Sequence, residues 1–252
     1  MAQETVMNRQ TEDDVWRQIH GESTTCAQQV PSLPSDLEKP KVLFVFESPA
    51  EYEIELNRPV TGATGASLCV LCDMVRLHLR PEVEEAESRL SSIVKGFCTR
   101  KAIIVNVSHD SLKRDEVPIS ASELRKEEFQ EYENTFIGRM KAMQGLESIE
   151  VAVFFGELAW RVRERLINTL KGSKVPIRLG IECYHLSWRG LRNIKLSRLE
   201  DEGSKRLQQL SVLAEYLSER LRNLGTSEVE RCCPIGKFRE WQNNRREIRM
   251  VE

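Results

Sequence analysis

Four short, continuously apolar segments rich in β-branched and aromatic residues are distributed along this chain. Each is bounded by turn-forming or polar residues, and they span positions 42–46, 102–107, 151–155 and 177–184. Continuous rather than alternating hydrophobicity is typical of strands that are covered on both faces, as in a parallel sheet. We therefore predict four buried parallel strands.

Helical patterns lie between these segments and after the last of them. They cover residues 66–79, 83–97, 122–143, 157–170 and 204–224. Strands that alternate with helices predict an α/β fold, here a three-layer α/β/α sandwich with a central four-stranded parallel sheet. A chain of 252 residues is long enough to bury the core of one such domain.

The composition divides the chain into three parts. Residues 1–40 predict a helical extension in which Thr11 caps a short helix, followed by a proline-rich linker. Residues 41–225 form the predicted main domain, and residues 226–252 are an arginine-rich basic tail. The tail is either a docking arm or a solvated segment, and we favour the solvated segment.

Charge and cysteine content exclude several classes of protein. With 37 Lys and Arg against 39 Asp and Glu, bulk charge does not drive nucleic-acid binding, although a local basic patch remains possible. No segment approaches the roughly 20 apolar residues of a membrane span, and the N-terminus lacks a hydrophobic signal core. The seven scattered cysteines suggest reduced thiols, and the pair Cys69 and Cys72 falls in an amphipathic helical run. We expect a cytoplasmic protein with no membrane partner.

Polar residues follow each predicted strand at the point where ligands bind in open α/β sheets. They are Glu47, Ser48 and Pro49 after the first, Asn106 to Asp110 at the second, Gly156 and Glu157 after the third, and His185 to Gly190 after the fourth. Taken singly, Glu47 is explained as a surface turn residue, Asn106 as a backbone cap and His185 as a core histidine. Together, a carboxylate, an amide and an imidazole at neighbouring strand ends predict a catalytic set in one crevice.

The same residues resemble the motifs of the uracil-DNA glycosylase superfamily, most closely its iron–sulfur, thermophile-type branch. Residues 46–50 (FESPA) and 58–65 (RPVTGATG), separated by an acidic stretch, resemble the branch's G-E-A-P-G and P-F-V-G-x-A-G. Asn106-Val107 resembles the start of N-V-V-K-C-R-P-P, residues 151–156 resemble its strand-then-glycine segment, and His185-Leu186-Ser187 resembles H-P-S. The resemblance extends over residues 41–224 and implies a uracil-DNA glycosylase-like fold and a DNA partner.

The resemblance also implies roles for individual residues. Asn106 would hydrogen-bond the edge of a flipped base, and His185 would donate to the departing base as negative charge develops. Glu47 or Asp110 would orient water and favour the oxocarbenium-like sugar. The implied base pocket comprises Ser48, Pro49 and Val60, and the implied DNA-backbone contacts are Gly62, Gly65 and Ser187.

The loop after His185 resembles the superfamily's minor-groove loop. It carries a large aromatic residue, an aliphatic residue and several cations without an acid: Trp188, Arg189, Leu191, Arg192, Lys195 and Arg198. Trp188, Arg189 or Leu191 would fill the gap left by the flipped base, since wedges between base steps are bulky side chains. The alternative is a solvated basic turn with Trp188 packed inward.

Three departures from the family pattern refine the expectation. Ser48 stands where many uracil enzymes have a water-activating Asp, and Val60 replaces the Phe that stacks on uracil, which weakens recognition of a flat base and leaves more room. Asp110 stands where the branch has a cluster cysteine. We therefore expect no iron–sulfur cluster, and no metal, nucleotide or other cofactor.

The sequence thus predicts a monofunctional DNA glycosylase that excises a bulky modified base. Phage-defence glycosylases of this superfamily, which remove glucosylated hydroxymethylcytosine, are the precedent. No lysine is clearly placed for Schiff-base chemistry, so we expect an abasic site as the product. Two alternatives remain open: a repair glycosylase for uracil or another deaminated base, and a non-catalytic nucleic-acid-binding module of the same fold.

Overall fold

The computed structural model describes residues 39–49, 53–54, 59–60, 62–81, 89–99, 101–108, 111–114, 117–196, 202–225 and 232–251. The predicted N-terminal extension, with its Thr11 cap and most of its linker, lies outside them.

Four long strands and one short strand form the main sheet. The strands in chain order are β1 (Val42–Phe46), β2 (Ile103–Asn106), β3 (Lys113–Arg114), β4 (Val117–Pro118), β5 (Val151–Phe155), β6 (Leu179–Cys183) and β7 (Cys232–Cys233). The main sheet has the order β2-β1-β5-β6-β7 and is parallel throughout, whereas β3 and β4 pair separately as an antiparallel hairpin. The four predicted strands and their parallel arrangement are confirmed. The fifth strand, β7, and the hairpin were not predicted.

Seven helices accompany the strands within the described residues. They are α1 (Gly62–His78), α2 (Arg89–Gly96), α3 (Lys126–Ala142), α4 (Glu157–Gly172), α5 (Trp188–Leu191), α6 (Glu202–Arg222) and α7 (Ile235–Val251), with 3₁₀ turns at Ala121–Glu123, Leu146–Ser148 and Asn223–Gly225. Among these described helices, none combines the length and the apolar character needed to cross a bilayer.

Both faces of the sheet are covered, as the continuous apolar segments predict. Every side chain of β1 is buried. Successive side chains of a strand point to opposite faces, so Phe44 and Phe46 join a cluster with Leu71 of α1 and Leu213 of α6. Val45 joins the opposite cluster, which contains residues of α3 and α4. The result is three layers, with helices on each side of the sheet.

The C-terminal segment packs against the body of the protein. Cys233 and Phe238 are 2% and 0% exposed, and the backbone N–H of Ile235 donates to Oε2 of Glu182 at 2.6 Å. Glu182 also forms an ion pair with Arg163 of α4. The interpretation of this segment as a solvated tail is therefore wrong for residues 232–242, because an apolar stripe lies among its arginines and covers the edge of the sheet.

The strand order reverses between β1 and β5. From β1 the chain leads through α1 and α2 to β2 on one side, whereas from β5 it leads through α4 to β6 on the other side. Parallel sheets bind ligands in the crevice beyond the carboxyl ends of strands at such a reversal. Glu47 follows β1 and Gly156 follows β5, so the two loops at the reversal carry residues that the sequence had singled out.

Candidate functional site

The side chain of Asn106 is buried with an unused hydrogen-bond donor. The residue ends β2, directly beside Phe46 of β1 in the parallel register, and it is 1% exposed. Its Nδ2 finds no hydrogen-bond partner among the described residues. Leaving a buried donor unpaired costs about 1–3 kcal/mol, so this amide is a candidate for binding a ligand atom.

Arg139 of α3 holds the backbone that carries Asn106. Its Nη2 donates to the carbonyl oxygens of Asn106 at 2.9 Å and of Val107 at 2.5 Å. Burial lowers the pKa of Arg139 to about 10, which leaves the guanidinium charged at neutral pH. Sequence reasoning missed this contact. The available signal was an arginine on the apolar face of a helix, between Phe136 and Met140.

His185 supplies a second donor. The backbone N–H of Ser187 donates to its Nδ1 at 3.1 Å, so the neutral ring carries its proton on Nε2. Burial lowers the pKa of His185 to about 4, and the imidazole is therefore neutral at pH 7. Its ring meets the ring of Phe46 edge-on, with centroids 5.8 Å apart and an interplanar angle of 87°.

Phe46 therefore lies between the two predicted polar residues. Asn106 adjoins it by strand register, and His185 contacts its ring across β5. This arrangement, which we call the donor row, consists of Asn106, Phe46 and His185. It offers an amide N–H and an imidazole N–H without a positive charge on either side chain. Such donors suit a ligand with hydrogen-bond acceptors, and especially one on which negative charge develops.

Glu47 faces a different neighbour. Its Oε1 accepts the backbone N–H of Leu158 at 3.0 Å, at the start of α4. Burial raises the pKa of Glu47, and hydrogen bonds from the backbone of Leu158 and Glu157 oppose that shift. A carboxylate at a helix N-terminus is electrostatically favourable. The predicted convergence is thus only partly present, because the amide and the imidazole share Phe46 whereas the carboxylate binds α4.

Gly156 makes the position of Glu47 possible. Its backbone adopts φ 93° and ψ 170°, a region that is essentially restricted to glycine. A Cβ atom placed there would lie 2.4 Å from Cδ of Glu47. The absence of a side chain at Gly156 therefore leaves the space that the Glu47 carboxylate needs to reach the start of α4.

The predicted base pocket is described in part. Ser48 is half-buried, Pro49 is buried and its carbonyl accepts the hydroxyl of Ser111 at 3.1 Å. Val60 is 2% exposed with φ 53°, in the same apolar cluster as Phe46. A β-branched residue with positive φ is strained, and such strain is concentrated at functional sites. Asp110 lies outside the described residues, so its predicted role stays a prediction.

The loop after His185 contradicts one prediction. Leu191 is fully buried in the core, and its N–H donates to the carbonyl of Ser187 at 2.9 Å, because the short helix α5 turns it inward. Leu191 as a DNA wedge is therefore wrong. Arg189 and Arg192 are exposed, and the side chain of Trp188 lies outside the described part.

Ser187 and Gly190 shape this loop around the imidazole. Oγ of Ser187 accepts the N–H of Gly190 at 3.3 Å and so caps α5. A Cβ on Gly190 would lie 2.1 Å from the carbonyl oxygen of His185. The contact of Ser187 with phosphate stays a prediction.

Gly62 and Gly65 both lie at the start of α1, which begins four residues earlier than predicted. Gly62 has φ 62°, and both residues are buried. Gly65 sits within the helix. Their approach to DNA stays a prediction.

In the described part of the chain, no group of three or more His, Cys, Asp or Glu side chains is arranged to hold a metal ion. In comparisons with known proteins, no protein-family model matches the chain and no curated protein is significantly similar to it. Function is accordingly inferred from the geometry of the donor row and from the motif resemblance.

Proposed function

We propose that this protein is a monofunctional DNA glycosylase that flips a bulky modified base out of DNA and excises it, leaving an abasic site. Glucosylated hydroxymethylcytosine is the first base to test. The observation that carries the proposal is the buried Nδ2 of Asn106, which has no partner among the described residues and lies in the same row as the Nε2 donor of His185. The order of the strand-end motifs supports the same activity.

The donor row suits the charge changes of base excision. Breaking the N-glycosidic bond places positive charge on the sugar and negative charge on the departing base. A neutral His185 donates a hydrogen bond from Nε2 to that base, and partial burial strengthens this interaction because water screens it less than in bulk solvent. Nδ2 of Asn106 donates to the edge of the flipped base and holds it for cleavage.

Glu47 is the proposed carboxylate for orienting water and stabilising the sugar cation. Its Oε1 is held by Leu158, which fixes the side chain at the reversal between β1 and β5. The second carboxylate oxygen is the one proposed to face the water. Asp110 is the alternative for this role.

The direct test is incubation with genomic DNAs that carry different modified bases, followed by mass spectrometry of the released bases. Wild-type protein is expected to release a modified base and to leave abasic sites. Asn106→Ala and His185→Ala are each expected to slow release by about 10²–10³-fold, the effect of removing one donor to a developing anion. Lys141→Gln, an exposed change near the end of α3, is the control. Normal excision by both site variants would overturn the site assignment.

Burial of Val60 favours a second candidate, the excision of uracil or another deaminated base. At 2% exposure, Val60 leaves little open surface for a large substituent. A uracil-containing oligonucleotide separates the two candidates. Strong release of uracil, with none from hypermodified cytosine, would favour repair.

The position of Glu47 favours a third candidate, a non-catalytic DNA-binding module. Its carboxylate has a structural role at α4 that requires no chemistry. Tight binding of modified DNA without any abasic product would decide for the module.

A further inference from the structure

The C-terminal helix α7 is hydrogen-bonded to the residues on either side of His185. Nε of Arg239 donates to the hydroxyl of Tyr184 at 3.0 Å, and Nε2 of Gln242 donates to the carbonyl of Lys195 at 2.7 Å. Tyr184 immediately precedes His185, and Lys195 lies in the loop after it. Because these two bonds come from positions one helical turn apart, one side of α7 rests on this loop.

Arg239 is held in place but remains exposed. Its Nε is fixed by the hydroxyl of Tyr184, and its guanidinium carbon lies 6.0 Å from the centroid of that ring. Its two Nη nitrogens make no hydrogen bond to other described residues. An arginine that is already ordered loses less conformational freedom on binding, and two Nη groups match the oxygens of a phosphate.

Cations predominate around Arg239. The loop and α7 together present a set that we call the C-terminal basic surface: Arg189, Arg192, Lys195 and Arg239. The described residues of these two segments, 188–196 and 235–244, contain one acid, Glu240, whose Oε2 lies 3.5 Å from Nζ of Lys237. The net charge of the whole chain, −2, therefore hides a local excess of positive charge.

We propose that the C-terminal basic surface binds the phosphodiester backbone of duplex DNA, with Arg239 as its ordered phosphate contact. The proposal rests on the proposed function in taking DNA as the partner, and it adds α7 to the interface. Tyr184 is a positioning residue, because it orders Arg239 on one side and leads into His185 on the other.

The test is fluorescence anisotropy of an unmodified 20-base-pair duplex titrated with the full chain at several salt concentrations. Arg239→Gln is expected to weaken binding about five- to tenfold and to reduce the salt slope by about 0.9, the loss of one phosphate contact. Tyr184→Phe keeps the charge and the ring but releases Nε, so we expect about twofold weaker binding with an unchanged slope. Lys141→Gln, which removes an exposed charge of α3 outside the C-terminal basic surface, is the matched control.

Base release is measured on the same preparations, so the two proposals fail separately. If Arg239→Gln binds like Lys141→Gln while wild-type protein releases a base, the C-terminal basic surface is wrong and the glycosylase proposal stands. If no base is released but Arg239→Gln still loses affinity and slope, the surface stands and the enzymatic proposal falls. Arg239-dependent binding of phosphatidylserine vesicles, without binding of the duplex, would overturn DNA as the occupant.

Discussion

Two polar groups at the carboxyl edge of the sheet differ in how their hydrogen-bonding capacity is used. Glu47 is committed to a protein partner, since its Oε1 accepts the N–H of Leu158 at the start of α4. Asn106, one strand away, is more deeply buried and leaves its Nδ2 unpaired among the described residues. The unpaired amide of Asn106 lowers the stability of the fold, whereas the paired carboxylate of Glu47 does not. Such a local loss of stability is typical of a ligand-binding site.

Among the variants that test this difference between Glu47 and Asn106, we expect Gly156→Ala to change the stability most. The backbone of Gly156 lies in a glycine-only region, and a Cβ would collide with the carboxylate of Glu47. We expect the free energy of unfolding to fall by about 3 kcal/mol. Gly138→Ala in α3, where a Cβ meets nothing within 4 Å, is the matched control, and we expect it to add about 0.5–1 kcal/mol.

A double variant separates the two causes at Gly156. Removing the carboxylate as well, in Glu47→Ala/Gly156→Ala, relieves the collision but not the backbone strain. Urea denaturation should therefore show a loss smaller than the sum of the two single losses. Strict additivity would mean that Glu47 does not occupy the space beside Gly156.

The second prediction concerns the pH dependence of stability. Burial raises the pKa of Glu47 and lowers the pKa of His185, and these two shifts change the free energy of unfolding with pH in opposite directions. The folded pKa of His185 is lowered to about 4 from 6.5, so the unfolded chain binds the proton more readily between these values. Stability should fall as pH drops from 6.5 to 4, by about 2 kcal/mol. The pKa of Glu47 is raised above 4.5, so its contribution decreases as pH rises through that window.

Thermal or urea denaturation between pH 4 and pH 7 measures both slopes. His185→Gln should remove the loss on the acid side, and Glu47→Gln should remove the opposing contribution above pH 4.5. Identical pH profiles for wild-type protein and His185→Gln would show that the imidazole is not desolvated. In that case its hydrogen-bond donor would be exposed to water and of little use to a ligand.

The sequence predicted more of the sheet than of the site. The apolar segments located all four long strands because a strand covered on both faces needs no partner-specific information to be recognised. The strand ends likewise located Asn106 and His185. The sequence did not reveal the direction of the Glu47 side chain, because that direction depends on the backbone conformation of Gly156. It also did not reveal the hydrogen bond from Arg139 to Asn106, because the two residues lie 33 positions apart.

Two local errors have a common physical origin. Leu191 was assigned to DNA because it lies among cations, and the C-terminal segment was assigned to solvent because it is rich in arginine. In both, a helix carries the apolar residues inward: α5 buries Leu191, and α7 buries Phe238. Average polarity over a few residues does not reveal this, because a helix separates its apolar and charged residues by direction and not by position along the chain.

The smallest expected changes in stability compare Glu47 and Asn106 directly. Glu47→Ala deprives α4 of the acceptor at its first turn and leaves the N–H of Leu158 unpaired, for an expected loss of about 1–2 kcal/mol. Asn106→Ala removes a donor that has no partner among the described residues, and we expect it to cost less than about 0.5 kcal/mol while slowing base release by about 10²–10³-fold. Urea denaturation of both variants at pH 7 gives the difference directly. If Asn106→Ala proves as costly as Glu47→Ala, the amide has a partner within the fold, and the strongest reason for placing a flipped base beside Phe46 is lost.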